Sequence, residues 1–370
     1  MPFQLLTSGY GGEIYSLSLD LSASPALQVT STESAGNAPT WLILSSDGKR
    51  VYTGDEFSSP NGTLSAFNVD EDGKLSPLSS AQSGEGPVHF AISHDGRNLY
   101  SANYGSGTLT HVRLDKDGSF AKDEEVTYKF AGTGPNTERQ EMPHIHGVYI
   151  DPTGEYLLAT DLGSDQLKVY RINGDKLDAL TPISLTPGVG PRHLVISPPS
   201  NSQSKTLLYL VEELTSAVSI YEIVYPSQAG GNFSLASVQK EISVLPPDYK
   251  SYAGDWTAAE ISLSADKRFL YVSNRAPLDP HPESDTLTIF ELNAQGSVVE
   301  GAEPTYFALG GRGPRDFAFS PKKDGVAEGK YLAVPLQRTN EVVVYEVDGK
   351  KLDEVARVKD IKEPTTIVWL

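Results

Sequence analysis

Cysteine is absent from this chain, and with it go disulfide staples, thiol nucleophiles and thiolate metal sites. Positive charge is scarce: 30 Lys and Arg against 48 Asp and Glu leave a formal charge of −18. So acidic a surface repels phosphate backbones and anionic bilayers, which argues against nucleic-acid and membrane partners. No apolar run is long enough to cross a bilayer. The opening residues, Met1 to Gly9, offer neither a basic segment nor the apolar core of a secretory leader, so a cytoplasmic location is expected. Scarcity of positive charge also sharpens one positive signal. Wherever arginines gather in such a chain, they need a physical reason.

What the chain does contain is a repeat. Gly86-Pro87-Val88-His89, Gly190-Pro191-Arg192-His193 and Gly313-Pro314-Arg315-Asp316 each open a short apolar run, and Met142-Pro143-His144-Ile145-His146-Gly147 opens another. Fainter copies begin at Pro39 and Ala258, and a half-copy, Glu363 to Leu370, ends the chain. With the proline (or Ala258) as marker, the spacing runs from 48 to 67 residues. Units of that length, built of short strands, indicate an all-β fold, a β-propeller. Each unit reads as four strands; in the second they are Val88 to Ser93, Asn98 to Ala102, Thr108 to Leu114 and a last one near Glu125 to Phe130. Residues 3 to 8 read as the second strand of a unit whose first strand is supplied by Thr365 to Trp369. Six full copies and this split one predict seven blades, closed by pairing of the N- and C-terminal strands, as one domain over residues 1–370.

Turn chemistry assigns the two faces of the disc. Ser46-Asp47-Gly48, His94-Asp95-Gly96 and Pro152-Thr153-Gly154 join first to second strands, and Glu71-Asp72-Gly73 and Lys116-Asp117-Gly118 join third to fourth. Both sets lie on one face. The other face receives longer polar loops, among them Asp55 to Gly62, Asn103 to Gly107, Gly132 to Met142, Pro246 to Thr257 and Asn274 to Asp285. Function is expected there. First-strand starts and second-strand ends converge on the central mouth, which collects His89, Asn103, His144, His146, Asp161, Arg192, His193, Glu213, Glu260, Asn274, Arg275, Arg315 and Gln337. Guanidinium, imidazole and carboxylate groups around one opening suit acid/base chemistry on an anion. The same arginines could equally form inter-blade ion pairs with Glu213, Glu260 or Asp161. Nothing in the spacing of His144, His146 and Asp161 singles out a metal site, and no cofactor is expected.

The units Gly190 to Pro198, Ala258 to Arg275 and Gly313 to Pro321 resemble the seven-bladed lactonase family over essentially the whole chain. That family includes bacterial 6-phosphogluconolactonases and a fungal 3-carboxy-cis,cis-muconate lactonising enzyme. The cyclase carries a histidine, two arginines and a glutamate in its mouth. The resemblance places these at His146, Arg192, Arg275 and Glu213, while Glu260 and the loop from Pro277 to Asp285 depart from the pattern. It implies metal-independent closing or opening of a lactone on a small carboxylate- or phosphate-bearing substrate. His146 and Glu213 would be catalytic, and Arg192, Arg275, Arg315, Glu260, His89 and His193 would bind substrate. A carboxymuconate cyclase is the leading expectation. A sugar-lactone hydrolase of the 6-phosphogluconolactonase type and a non-catalytic binding platform are the alternatives.

Overall fold

In the computed structural model, residues 2–370 are described except 123–124, 200–204, 227–230, 248, 250–255 and 277–283. The expected loop at Pro277 to Asp285 and the middle of the Pro246 to Thr257 connection fall largely outside those residues. Short antiparallel strands with alternating apolar positions form seven sheets. Blade 1 covers Pro39–Leu44, Arg50–Asp55, Gly62–Val69 and Leu75–Ser83, and blade 2 begins at Pro87–Ile92. Blades 3 to 6 follow in chain order, with first strands at Ile145–Ile150, Pro191–Ser197, Thr257–Leu263 and Ala318–Phe319. Blade 3 gains a short fifth strand, Ile183–Ser184. No described helix is long and apolar enough to cross a membrane.

Blade 7 closes the ring as the sequence predicts. Its order is Pro364–Trp369, Phe3–Gly9, Glu13–Leu19 and Leu27–Ser34, with Leu5 opposite Trp369 and Thr7 opposite Ile367. The C-terminal strand is also tied to both neighbours. Thr365 Oγ1 donates to the Thr40 carbonyl of blade 1 at 2.8 Å, and Trp369 Nε1 donates to the Ala318 carbonyl of blade 6 at 2.9 Å. Between blades lie apolar layers such as Leu5, Leu17, Ala333, Val342 and Ile367, all nearly inaccessible to solvent. Hairpin turns on the plain face are held locally: Ser45 and Ser93 hydroxyls donate to Asp47 and Asp95 at 2.6 Å, and Gly48 and Gly96 supply φ of 68° and 71°.

One expectation is corrected here. Pro143 is not the counterpart of Pro87: the strand starts at Ile145, and Ile145 faces Asp161 as Pro87 faces Asn103. The signal was present in the sequence. Pro87 precedes its turn residue Gly96 by nine residues, whereas Pro143 precedes Gly154 by eleven. The two extra residues are spent before the strand, and they move His146, rather than His144, to the axis.

Candidate active site

The mouth is built by two recurring backbone features. In blades 1 to 5 and 7 the pairing slips just after the first residue of the innermost strand, or in blade 5 the second, so the strand bulges there. A bulge sets successive residues against fewer on the partner, which turns two side chains in a row toward the axis. The first of each pair forms an upper tier, with Val88, His146 and Arg192, and with Arg315 as the blade 6 counterpart. The second forms a lower tier of Trp41, His89, His193, Glu260 and Asp316. Blade 3 has Gly147 there, because Tyr149 fills the space: a Cβ on Gly147 would come 2.7 Å from the Tyr149 ring.

The second feature is the residue just past each second strand. Its N–H donates to the carbonyl before the neighbouring first strand, as at Tyr10, Glu56, Tyr104 and Glu213, at 2.7–3.2 Å. Arg275 ends its strand one residue past Asn274, which faces Ala258, and so falls at the same height. The residue before this position turns the other way and is used structurally. Asp55 accepts from the Asn37 and Ala38 amides, Asn103 bonds Thr108 and Thr110, and Asn274 bonds Thr288. Asp161 accepts from the His144 amide and Ser164 and pairs with Lys168 at 3.1 Å. Asn103, Asp161 and Asn274 are therefore wall struts, not mouth residues.

The upper tier and these post-strand residues enclose a cavity of about 350 Å³. His146, Glu213, Arg275 and Arg315 all line it, so residues from blades 3, 4, 5 and 6 open onto one space on the loop-bearing face. Arg192 is 2 % exposed and lies just behind that wall. At the centre is Glu213. Its Oε1 accepts from Arg139 Nη2 at 2.9 Å and lies 3.4 Å from Arg275 Nη2. Its Oε2 lies 3.2 Å from Arg192 Nε, an ion pair off the line of a hydrogen bond, and 4.0 Å from His146 Nε2. Burial alone would raise the Glu213 carboxyl, but Arg275, Arg139 and Arg192 outweigh it and hold it well below the usual carboxylate range. Burial acts the other way on Arg275, lowering it to about 9 against the pull of Glu213; it remains charged at neutral pH. Burial, with Arg192 nearby, pushes His146 well below an ordinary histidine, so its ring is neutral. Arg275 Nε and His146 Nδ1 have no hydrogen-bond partner among the described residues.

This arrangement makes a stability prediction. Glu213→Gln keeps the shape but leaves Arg139, Arg192 and Arg275 facing one another without a counter-charge. Removing one partner of a buried ionic network costs roughly 3–5 kcal/mol. A clearly lower melting temperature is expected, recovered in part by added phosphate. A variant that melts with the wild type would mean that the arginines do not depend on Glu213.

Three residues expected to bind substrate do not reach this cavity. His89, His193 and Glu260 occupy the lower tier, where His193 Nδ1 meets Glu260 Oε2 at 2.6 Å. The His193 ring packs against Trp41, His89 and His146 with centroids 4.9–5.0 Å apart. Burial pushes Glu260 well above the usual carboxylate range and His193 well below the usual histidine range, and Arg192 Nη1 meets the same His193 Nδ1 at 3.1 Å. The pair of His193 and Glu260 forms the floor. His144 is likewise in the wall: it stacks on Tyr104 at 4.4 Å and bonds Glu141. Among the described residues no group of three or more His, Asp or Glu could hold a metal ion.

Sequence reasoning missed Tyr10, Glu56, Tyr104, Arg139 and Arg338. Tyr104 and Arg338 each follow a residue that was chosen, Asn103 and Gln337. The error is one of register, since successive residues point to opposite sides. Arg139 sits in the connection 132–142 and gave no periodic signal. Its position is held by Gln140, whose side chain donates to the Leu162 carbonyl at 2.8 Å and accepts from the Asn136 amide at 3.1 Å.

Comparison with known proteins agrees with this architecture. Residues 5–369 match the model of the family described as "Lactonase, 7-bladed beta-propeller". A Formosa agariphila protein named 6-phosphogluconolactonase is 30% identical over 322 residues, covering 84% of this chain and 81% of its own. A Bacillus subtilis protein of the same name is 28% identical over 345 residues, covering 92% and 89%. Among solved structures, a Pseudomonas aeruginosa periplasmic gluconolactonase superposes with a TM-score of 0.81 at 25% identity, covering 100% of this chain and 99% of that one.

Proposed function

Because this chain belongs to the seven-bladed β-propeller lactonase family, we propose that it hydrolyses a sugar lactone of the 6-phosphogluconolactone class. One observation carries the reading: five guanidinium groups, on Arg139, Arg192, Arg275, Arg315 and Arg338, share one small site with two carboxylates, Glu56 and Glu213, and a neutral imidazole. In a chain of charge −18 such a surplus of cations has a use, and a small oxyanionic substrate supplies it. The relatives' names favour a hydrolase over the cyclase expected from the sequence, because those names specify lactone opening.

Hydrolysis needs a base, a place for negative charge and an exit for the ring oxygen. Neutral His146 takes a proton as water adds to the lactone carbonyl carbon. Arg275, with its free Nε–H, stabilises the oxyanion of the tetrahedral intermediate, and Arg192 reinforces it from behind. The carbon–ring-oxygen bond then breaks, and protonated His146 returns its proton to the departing alkoxide. The product is the open hydroxy acid. Glu213 carries no proton at neutral pH; it holds the arginines together and stabilises the histidine while that is charged.

The deciding assay offers purified protein 6-phosphogluconolactone, glucono-δ-lactone and 3-carboxymuconate in parallel. Lactone turnover above the spontaneous rate, with no muconate conversion, is the expected result; muconate conversion would restore the cyclase. The pH profile adds a second check. A base works deprotonated, and burial lowers the His146 pKa, so activity should stay level as pH falls through 6.5. An acid limb centred at an ordinary histidine value would assign the base to another group.

A further inference from the structure

We propose that Arg315 and Arg338, both on blade 6, form a second anion subsite that recognises a phosphate remote from the lactone. This deepens the lactonase reading and rests on it. The five arginines of the mouth are not equivalent. Arg139, Arg192 and Arg275 each lie within 3.4 Å of Glu213 and share its charge. Arg315 and Arg338 line the same cavity but have no carboxylate within ion-pairing distance among the described residues. Arg315 lies over the Tyr10 ring, 5.6 Å from its centroid, and Arg338 donates one N–H to the Ala276 carbonyl. Both keep further N–H donors for a ligand, since a guanidinium carries five.

The charges decide which end of a substrate goes where. A dianion placed beside Glu213 would meet a carboxylate already engaged with three guanidinium groups. Placed on the blade 6 side it meets two guanidinium groups that no described carboxylate pairs at close range, although Asp285 acts on Arg338 and Glu56 on Arg315 from farther away. Two planar forks also suit a tetrahedral group with three accepting oxygens. Glu56 opposes this from blade 1, but its Oε1 accepts from the Tyr10 hydroxyl at 3.2 Å. Its carboxylate acts on Arg315 through space without a close ion pair, and its Oε2 can accept from a sugar hydroxyl. A polar ring bridging the cavity then has its carbonyl near His146 and Arg275 and its phosphate on Arg315 and Arg338.

Isothermal titration with 6-phosphogluconate, gluconate and inorganic phosphate tests this, on the wild type, Arg338→Met, Arg338→Lys and Arg315→Met. The wild type should bind 6-phosphogluconate about 10²-fold more tightly than gluconate, as expected for a charge-assisted phosphate contact. Arg338→Met and Arg315→Met should each erase most of that ratio, while Arg338→Lys retains part of it. A parallel loss is expected in kcat/KM for the phosphorylated lactone, with a much smaller change for glucono-δ-lactone. A preference for 6-phosphogluconate that survives in both methionine variants overturns the subsite. So does a wild type that binds the two acids equally, even if it turns over both lactones. A wild type that turns over no lactone ends the lactonase reading, and the binding ratios still decide whether blade 6 holds phosphate.

Discussion

Replacing His146 with alanine is expected to lower kcat for lactone hydrolysis by about 10²–10⁴, the usual contribution of a placed proton-transfer group. The fold should tolerate the change. Among the described residues His146 Nδ1 has no partner and Nε2 is 4.0 Å from Glu213, so truncation orphans no hydrogen bond there. Substrate binding should change little, because the cations that hold the anion stay paired or free as before. The signature is therefore a fall in kcat with KM and melting temperature close to wild type. A variant retaining kcat within a few-fold would remove His146 from the chemistry and leave it a wall residue. Tyr104, whose ring meets His146 edge-on at 5.5 Å, would be the next group to vary.

Deleting Pro364 to Leu370 is expected to abolish cooperative folding. The segment is the innermost strand of blade 7 and the seam of the ring. Its loss strips Phe3–Gly9 of a partner, uncovers Leu5 and Leu17, and removes Ile367 and Trp369 from the layer between blades 6 and 7. Each large apolar side chain brought to solvent costs about 1.5–3 kcal/mol, and several are affected together. Ordinary net stability, about 5–15 kcal/mol, does not absorb that. The deletion also leaves a raw sheet edge next to blade 1. Thermal denaturation followed by circular dichroism should show no sharp transition, and most of the protein should be aggregated. A truncated chain that melts within a few degrees of the intact one would show that the ring is held shut elsewhere.

Much of this was readable from the chain. Pro87, Pro191 and Pro314 mark the repeat, and the Asp-Gly turns mark the plain face. The unpaired strand at Phe3 pointed to its partner at Thr365. His146, Arg192, Glu213 and Arg275 could be placed together at the mouth because each lies beside a recognisable strand start or end. Arg139 was not readable, because a loop residue carries no periodicity and is positioned by Gln140 through contacts particular to this fold. Nor was the split between Asn103 and Tyr104: Asn103 faces the sheet and Tyr104 the axis.

The sequence by itself determined the number of blades, the way the ring closes and which face carries the long loops. These follow from strand period and turn chemistry, which are local and repeat. Only the tertiary structure decided which charged residues meet. The bulge in each inner strand divides neighbours such as Arg192 and His193 between the wall of the cavity and its floor. The same geometry made Glu213 an anion fastened between three arginines and left Arg315 and Arg338 without a carboxylate at ion-pairing distance among the described residues. Those outcomes depend on distances of a few ångströms across different blades. Charges interact through space rather than along the chain, so no local pattern in the sequence encodes them.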